Sequence, residues 1–441
     1  MPHAVIQRGK SGMAPIPVAG STEAADGATV EVRVGRRGPW TGVGAVKSGG
    51  FSAATEPLPT GGPYEVSVRV GRETATVRDL LVGDLFLLAG QSNMDGCGKL
   101  VEVEPPSRRV RCFYYDDRWD IAEDPLCRYN EAVDPVHWGV PEEDVVRMAQ
   151  WERDFRVFGA GLGVRFGKEV HRRQGVPVGL LACSHGGTSL EQWSPSLVGQ
   201  GGRSLYGSLI RRVKAVGARV AACLWYQGES DAATEAGRQY RANMGAFIQA
   251  LRRDLAQPRL PFLQVQLGPF FGEAAGFPHW NKVQTDQIAV EDDLPHVATV
   301  AAVDLDLSDA IHLSTRSERL LGVRLAHLAD RLVYGDRSAE IGPRFRSVRA
   351  SRDRRTVAVR FAGVNGSLTP RSGLQGFNLD ANGAPVPIPG REVQDARTVV
   401  LRLRDPLPEG AVLWYGQGPN PVVNLRDQAG LPCPVFGPVA L

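Results

Sequence analysis

Two hydrophobic periods divide the chain. Up to about residue 80, apolar and polar positions alternate: Val30, Val32 and Val34 against Glu31 and Arg33, and Tyr64, Val66, Val68 and Val70 against Glu65, Ser67 and Arg69. A period of two marks strands with one wet face. Gly49-Gly50 and Gly61-Gly62-Pro63 supply the turns between them. From about Leu81, short unbroken apolar runs take over: 85–89, Val176–Cys183, Val220–Trp225, Pro261–Leu267 and Val297–Val303. Helical patterns lie between the runs. Tyr240, Met244, Phe247 and Leu251 share one face, as do Leu321, Leu325, Leu328 and Leu332 after an expected capping box at Thr315 and Glu318. Continuous apolar strands alternating with helices predict an α/β fold, a parallel sheet covered on both faces.

The stretch from about 99 to 155 breaks this rhythm. It is rich in Pro, Trp, Tyr and charge, and reads as a long insertion over the carboxyl edge of the sheet, where long loops are often functional. Beyond Ser338 the period of two returns, with Val357, Val359 and Phe361, then Val399, Leu401 and Leu403. The expected organisation is a β-rich domain at 1–80, an α/β domain at 81–337 with its insertion, and a second β-rich domain at 338–441.

Composition narrows the function classes. With 51 basic and 48 acidic residues the net charge is only +3, too balanced to argue for nucleic acid or a membrane surface. No run reaches the ~18 apolar residues of a transmembrane helix. The N-terminus lacks the regions of a signal peptide, and the six cysteines form no CxxC. A cytoplasmic location with reduced thiols is therefore expected.

Four polar clusters follow predicted strand ends or lie in the loops beyond: Gly90-Gln91-Ser92-Asn93-Met94, the stretch from Ser184 to Ser189, Trp225 to Ser230, and Asp309-Ala310-Ile311-His312. Open α/β sheets bind ligands at that edge. Acyl transfer needs a nucleophile, a base, a group orienting the base, and oxyanion donors. The candidates are Ser92 as nucleophile, His312 as base and Asp309 as its orienting acid. Backbone N–H groups of Ser92 and of Gly186 or Gly187, with the Gln227 amide, are the candidate oxyanion donors. Asp304 and Asp306 are weaker rivals for the acid. The lipase elbow Gly-x-Ser-x-Gly is not matched, because Met94 stands where its second glycine would be. The three-residue spacing of Asp309 and His312 also points away from that fold.

These stretches resemble the SGNH-hydrolase superfamily, and within it the sialate O-acetylesterase-like carbohydrate esterases. The resemblance rests on Gly83-Asp84, GQSNM at 90–94, GGTSLEQW at 186–193, LY at 205–206, WYQGES at 225–230, PFLQVQL at 261–267, and DAIH at 309–312 followed by Gly322, Arg324 and Leu325. It covers about 81 to 335, and Val5-Ile6-Gln7-Arg8 resembles the family's opening strand. It implies a flavodoxin-like three-layer sheet and metal-free, cofactor-free hydrolysis of O-acetyl esters on an acetylated carbohydrate. It also implies the triad Ser92, Asp309 and His312, with Gly186 favoured over Gly187 as donor. Gln91, Glu229 and Trp193 are expected to touch substrate or support the site. Two departures stand out: Leu313 follows His312 where many relatives have proline, and Gln284-Thr285-Asp286-Gln287 replaces the usual REAQ.

Two other readings use the same residues. One is an inert carbohydrate-binding protein on the same scaffold, with Trp119, Trp138 and Trp151 stacking on sugars. The other is an esterase for a longer acyl or a feruloyl group. Arg118, Arg128, Arg153 and Arg156 are candidates to meet a substrate carboxylate.

Overall fold

One long strand joins the two halves of the pattern. In the computed structural model, which describes residues 1–272 and 276–441, β1 spans Glu73–Gly90. Its exposed first half pairs with the antiparallel strand Gly61–Val70 and, further along, with Val5–Gln7. From Leu80 onward every residue is buried, and this half is the central strand of the α/β sheet. The change of period near residue 81 thus falls inside a continuous strand. Arg8 and Asp84 pair across that point at 2.9 Å. Apolar side chains of the N-terminal region (Val5, Ile16, Val66) belong to the same core as the α/β sheet.

The other strands of the α/β sheet are β2 (Val110–Phe113), β3 (Trp119–Ile121), β4 (Val178–Ala182), β5 (Ala222–Tyr226), β6 (Phe262–Gln266) and β7 (Val297–Ala301). Their spatial order is β3-β2-β4-β1-β5-β6-β7, parallel except for β3. Phe86 is level with Ala222 on the neighbouring strand, so Trp225, three residues on, faces the opposite side of the pleat. Phe166, from the helix Gly163–Gln174, packs on Phe86 at 4.9 Å between ring centres. Phe247, from the helix Tyr240–Asp254, packs on Trp225 at 4.6 Å. Each face of the sheet therefore carries a helix.

Two expectations need correction. The segment 99–155 is not wholly an insertion, because β2 and β3 are strands of the main sheet. The apolar pattern is broken there by Arg111, which is buried within β2 and paired with Asp79 at 2.8 Å. The last helix, Thr315–Leu332, has no capping box at Thr315 and Glu318. Its cap is Ser314, whose hydroxyl accepts from Ser317 N–H. Thr315 instead donates its hydroxyl to the Lys99 carbonyl at 2.6 Å, and Glu318 is fully buried.

The C-terminal strands have a core of their own, around Val357, Leu379, Leu401, Leu413 and Tyr415. They meet the α/β region through a small apolar cluster of Ala301, Val303 and Val435 and through polar contacts. Gln266 bonds the Val435 backbone in both directions, at 2.8 and 3.0 Å. Arg344 pairs with Glu291 at 2.8 Å and Arg426 with Asp304 at 3.1 Å. All six cysteines are free thiols, five of them buried.

Candidate active site

The site begins where β1 runs out. Gly90 has φ of +134°, and a Cβ there would lie 2.1 Å from the Tyr226 carbonyl oxygen, so only glycine fits. Gln91 N–H donates to that same carbonyl at 2.8 Å. The chain then enters a single helical turn, Ser92–Asp95, which presents Ser92 just beyond the strand tip. The Gln91 side-chain oxygen accepts the backbone N–H groups of Gly228 (3.2 Å) and Ser230 (3.3 Å), fixing the turn after β5.

The Asp309–His312 loop is shaped by its own aspartate. One carboxylate oxygen of Asp309 accepts the N–H groups of Ile311 (2.8 Å) and His312 (2.7 Å). The other lies 2.7 Å from His312 Nδ1, and His312 Nε2 lies 3.0 Å from Ser92 Oγ. A carboxylate only accepts, so Nδ1 carries the proton and Nε2 accepts from the Ser92 hydroxyl. Partial burial pushes the Asp309 carboxyl up. The Ile311 N–H, the imidazole and the His312 N–H together outweigh that, holding it below the usual carboxylate range. Of the rival acids, Asp304 is engaged by Arg324 at 2.7 and 2.8 Å.

Asn93, within the quoted motif but without an expected role, ties the loops together. Its amide nitrogen donates to Glu229 Oε1 at 2.8 Å and to the Ile311 carbonyl at 3.3 Å. Its oxygen accepts Leu313 N–H at 3.0 Å. Glu229 is buried and lines the site cavity, while its second oxygen has no partner among the described residues. Burial raises its carboxyl pKa, against the Asn93 hydrogen bond.

The loop after β4 comes in from the other side, with His185 N–H donating to the Gly90 carbonyl at 2.9 Å. Gly186 and Gly187 both line the cavity. A Cβ on Gly186 would lie 3.2 Å from an Asp95 oxygen, 3.6 Å from the Tyr129 hydroxyl and 3.7 Å from Ser92 Cβ. A side chain here would press on Asp95 and crowd the nucleophile. Gly186 N–H donates to the Tyr129 hydroxyl at 2.7 Å.

Gln227 is where the structure departs most from expectation. It is fully buried and does not reach the cavity. Its amide nitrogen donates to the Thr188 carbonyl at 3.0 Å and to the Asp231 carboxyl. Both N–H groups are engaged, and none faces Ser92. Trp193 is likewise fully buried. It donates to the Thr188 hydroxyl at 2.9 Å and packs on Trp225 at 5.4 Å, so it supports the loop and does not touch a ligand.

The cavity beside Ser92 and His312 has a volume of about 560 Å³, and Phe277 and Ile311 form apolar parts of its wall. Larger hollows of about 640 and 620 Å³ lie elsewhere; the chemistry, not the size, marks this one. Asp95 lines it, and burial lifts its carboxyl to about 6 despite hydrogen bonds from Ser184, Tyr129 and Cys127. Cys97 lines it too, but burial pushes its thiol up, so it stays protonated and does not rival Ser92. Of the four candidate arginines only Arg156 lines the cavity. Arg128 stacks over Tyr114 and Arg153 pairs with Glu131. The sugar-stacking role fits Trp119 and Trp138 poorly: Trp119 is buried against Phe113, and Trp138 donates to the Ala132 carbonyl from a partly buried position.

This strand-edge arrangement is that of a carboxylic ester hydrolase, and comparison with known proteins supports that class. The family model for the carbohydrate esterase, sialic acid-specific acetylesterase family matches residues 82–331. The chain belongs to that family. It is 32% identical over 251 residues to a probable carbohydrate esterase of Arabidopsis thaliana, spanning 55% of this chain and 88% of that protein. It is 25% identical over 356 residues to the sialate O-acetylesterase of Homo sapiens, spanning 70% of this chain and 66% of that protein. The crystal structure of a carbohydrate acetylesterase from Xanthomonas citri superposes with a TM-score of 0.73 at 25% identity. It covers 99% of this chain and 97% of that one.

Proposed function

We propose that the chain is a serine esterase of flavodoxin-like layering that removes O-acetyl groups from a sugar or glycan through an acyl-enzyme. The observation that carries this reading is the unbroken relay from Ser92 Oγ through His312 to Asp309, with contacts of 3.0 and 2.7 Å, at the edge of an open cavity. His312 takes the Ser92 proton as Oγ attacks the acetyl carbonyl, and returns it to the departing sugar hydroxyl. Water, deprotonated by the same imidazole, then releases acetate. Asp309 fixes the imidazole tautomer and stabilises its cationic form. Ser92 N–H is the backbone donor for the tetrahedral oxygen, joined by Gly186 N–H once the ester displaces that N–H from the Tyr129 hydroxyl. One such donor is worth about 2.7–4 kcal/mol in comparable enzymes.

The test is acetate release from a panel of acetylated sugars and polysaccharides, wild type beside Ser92→Ala, with fluorophosphonate labelling in parallel. Turnover and labelling are expected to vanish in Ser92→Ala. Wild-type rates in that variant would refute the mechanism.

A further inference from the structure

Resting on the serine-esterase reading, we propose that a second hollow beside the loop after β4 holds the sugar ring next to the acetylated one, so that the substrate is a glycan of at least two rings. The hollow has a volume of about 210 Å³, and its lining includes Val136, His185, Gln192, Leu197, Gln200 and Arg203. It shares one loop with the Ser92 cavity. Gly186 and Gly187 line the cavity, and the residues on either side of them, His185 and Thr188, line the hollow. Gly187 is exposed with φ of +68°, and a Cβ there would meet nothing within 4 Å. The ridge between the two is bare backbone, low enough for a chain of sugars to cross.

A buried hydrogen-bond chain sets the chemistry of the hollow. The Ser208 hydroxyl donates to Asp134 at 2.6 Å, and Asp134 is paired with Arg211 at 2.7 Å. With its proton committed there, Ser208 Oγ accepts from His137 Nε2 at 3.1 Å. Burial pushes His137 well below the usual imidazole range, so the ring is neutral and its Nδ1 accepts. His185 Nδ1, 3.2 Å away, therefore carries the proton. Burial lowers His185 to about 4, so near neutral pH its Nε2 is a lone pair, and no described residue donates to it. Donors surround this acceptor. The Gln192 oxygen is taken by Ser189 N–H at 3.0 Å, which leaves the amide N–H groups to a ligand. Arg203 pairs with no carboxylate among the described residues. A hydroxyl both donates and accepts, so it satisfies Nε2 and these donors together, whereas a carboxylate cannot donate to Nε2. Val136 and Leu197 give the C–H face of a sugar an apolar wall. The volume is well under the ~300–1,000 Å³ of a drug-sized pocket and suits one ring.

The test uses the whole chain and an acetylated oligosaccharide series, one to four sugars long, cut from whichever polysaccharide of the panel loses acetate fastest. Expected is a rise in kcat/KM of about tenfold from one sugar to two, mostly through KM. Arg203→Ala should remove most of that gain, read as the ratio of two-sugar to one-sugar kcat/KM. Binding is read apart from turnover in Ser92→Ala carrying 15N-histidine. The His185 Nε2 signal, identified by its loss in His185→Gln, should move with the disaccharide and stay with the monosaccharide. Equal kcat/KM for one and two sugars, or a His185 signal unmoved by disaccharide that calorimetry shows to be bound, would overturn the proposal. So would a panel in which only monosaccharides lose acetate. Turnover retained in Ser92→Ala, or no acetate from any member of the panel, is instead a failure of the esterase reading itself.

Discussion

Asn93→Ala tests whether one buried amide sets the distance between nucleophile and base. Asn93 is almost wholly buried, and its side chain makes three hydrogen bonds, to Glu229, Ile311 and Leu313. Two of these residues flank His312, so the amide links the Ser92 turn directly to the histidine loop. Truncation leaves Leu313 N–H without its acceptor and Glu229 with neither oxygen bonded to a side chain. Each buried group left unsatisfied costs about 1–3 kcal/mol, so a loss of about 2–5 kcal/mol is expected. Denaturant midpoints at an unchanged slope will read it. The loop then drifts relative to Ser92, and a displacement of 1 Å in a reacting group is worth about 100-fold in rate. The assay is kcat on an aryl acetate well below the melting temperature, corrected for folded protein by active-site titration. Asn93→Asp is the internal control. It keeps an acceptor for Leu313 but places a carboxylate against Glu229, and should be worse than alanine above the pH at which both ionise. A kcat within about twofold of wild type in Asn93→Ala, at unchanged stability, would refute the claim that this amide aligns the site.

Gln227→Ala should reduce stability by about 1–3 kcal/mol, because Asp231 and the Thr188 carbonyl lose their donor, while kcat changes less than about tenfold; a large kcat loss at wild-type stability would return Gln227 to the oxyanion site. Asp95→Asn should change how stability depends on pH. With a folded-state pKa of about 6 against an ordinary 3.8, the native state binds the extra proton between those values, so Asp95 makes stability fall as pH rises through that window. The variant lacks this loss, and its advantage over wild type should grow by up to about 3 kcal/mol from pH 4 to 7; parallel curves would contradict it. Ser314→Ala should cost about 1 kcal/mol through loss of the helix cap, read by the thermal midpoint, with Thr315→Ala leaving the cap intact.

What could be read in the chain and what could not divides by sequence separation. The strand into Gly90, the turn bearing Ser92 and the Asp309–His312 pair are local. An apolar run, a glycine with positive φ and a carboxylate three residues from an imidazole specify them within a few positions. The fate of Gln227 is not local. Its amide is claimed by Asp231, one turn on, and by Thr188, 39 residues away, and no periodic signal ranks those partners above a bound ester. Glu229 meets Asn93 across 136 residues, and Gly186 meets Tyr129 across 57. Arg111 hid the strand β2 because its partner, Asp79, lies in the outer half of β1.

The same distinction explains the stretch after the nucleophile, which lacks a period yet bears on the chemistry. Apart from β2 and β3 it buries aromatic residues by their hydroxyls and ring nitrogens. Tyr115 donates to the Ser184 carbonyl at 2.6 Å, and His137 Nδ1 sits 3.2 Å from His185 Nδ1. Tyr129 holds Gly186. These contacts brace the loop after β4 from behind, at three successive residues. A segment doing this needs polar tips at irregular spacing and cannot show an amphipathic period. Its disorderly pattern is what a scaffold for a loop, as opposed to a layer of the fold, should look like. The sheet edge sets where Ser92 stands, and this segment sets where the opposing backbone donor stands. An exchange of 122–138 for a short linker should therefore disturb catalysis through Gly186 while Ser92, His312 and Asp309 keep their mutual contacts.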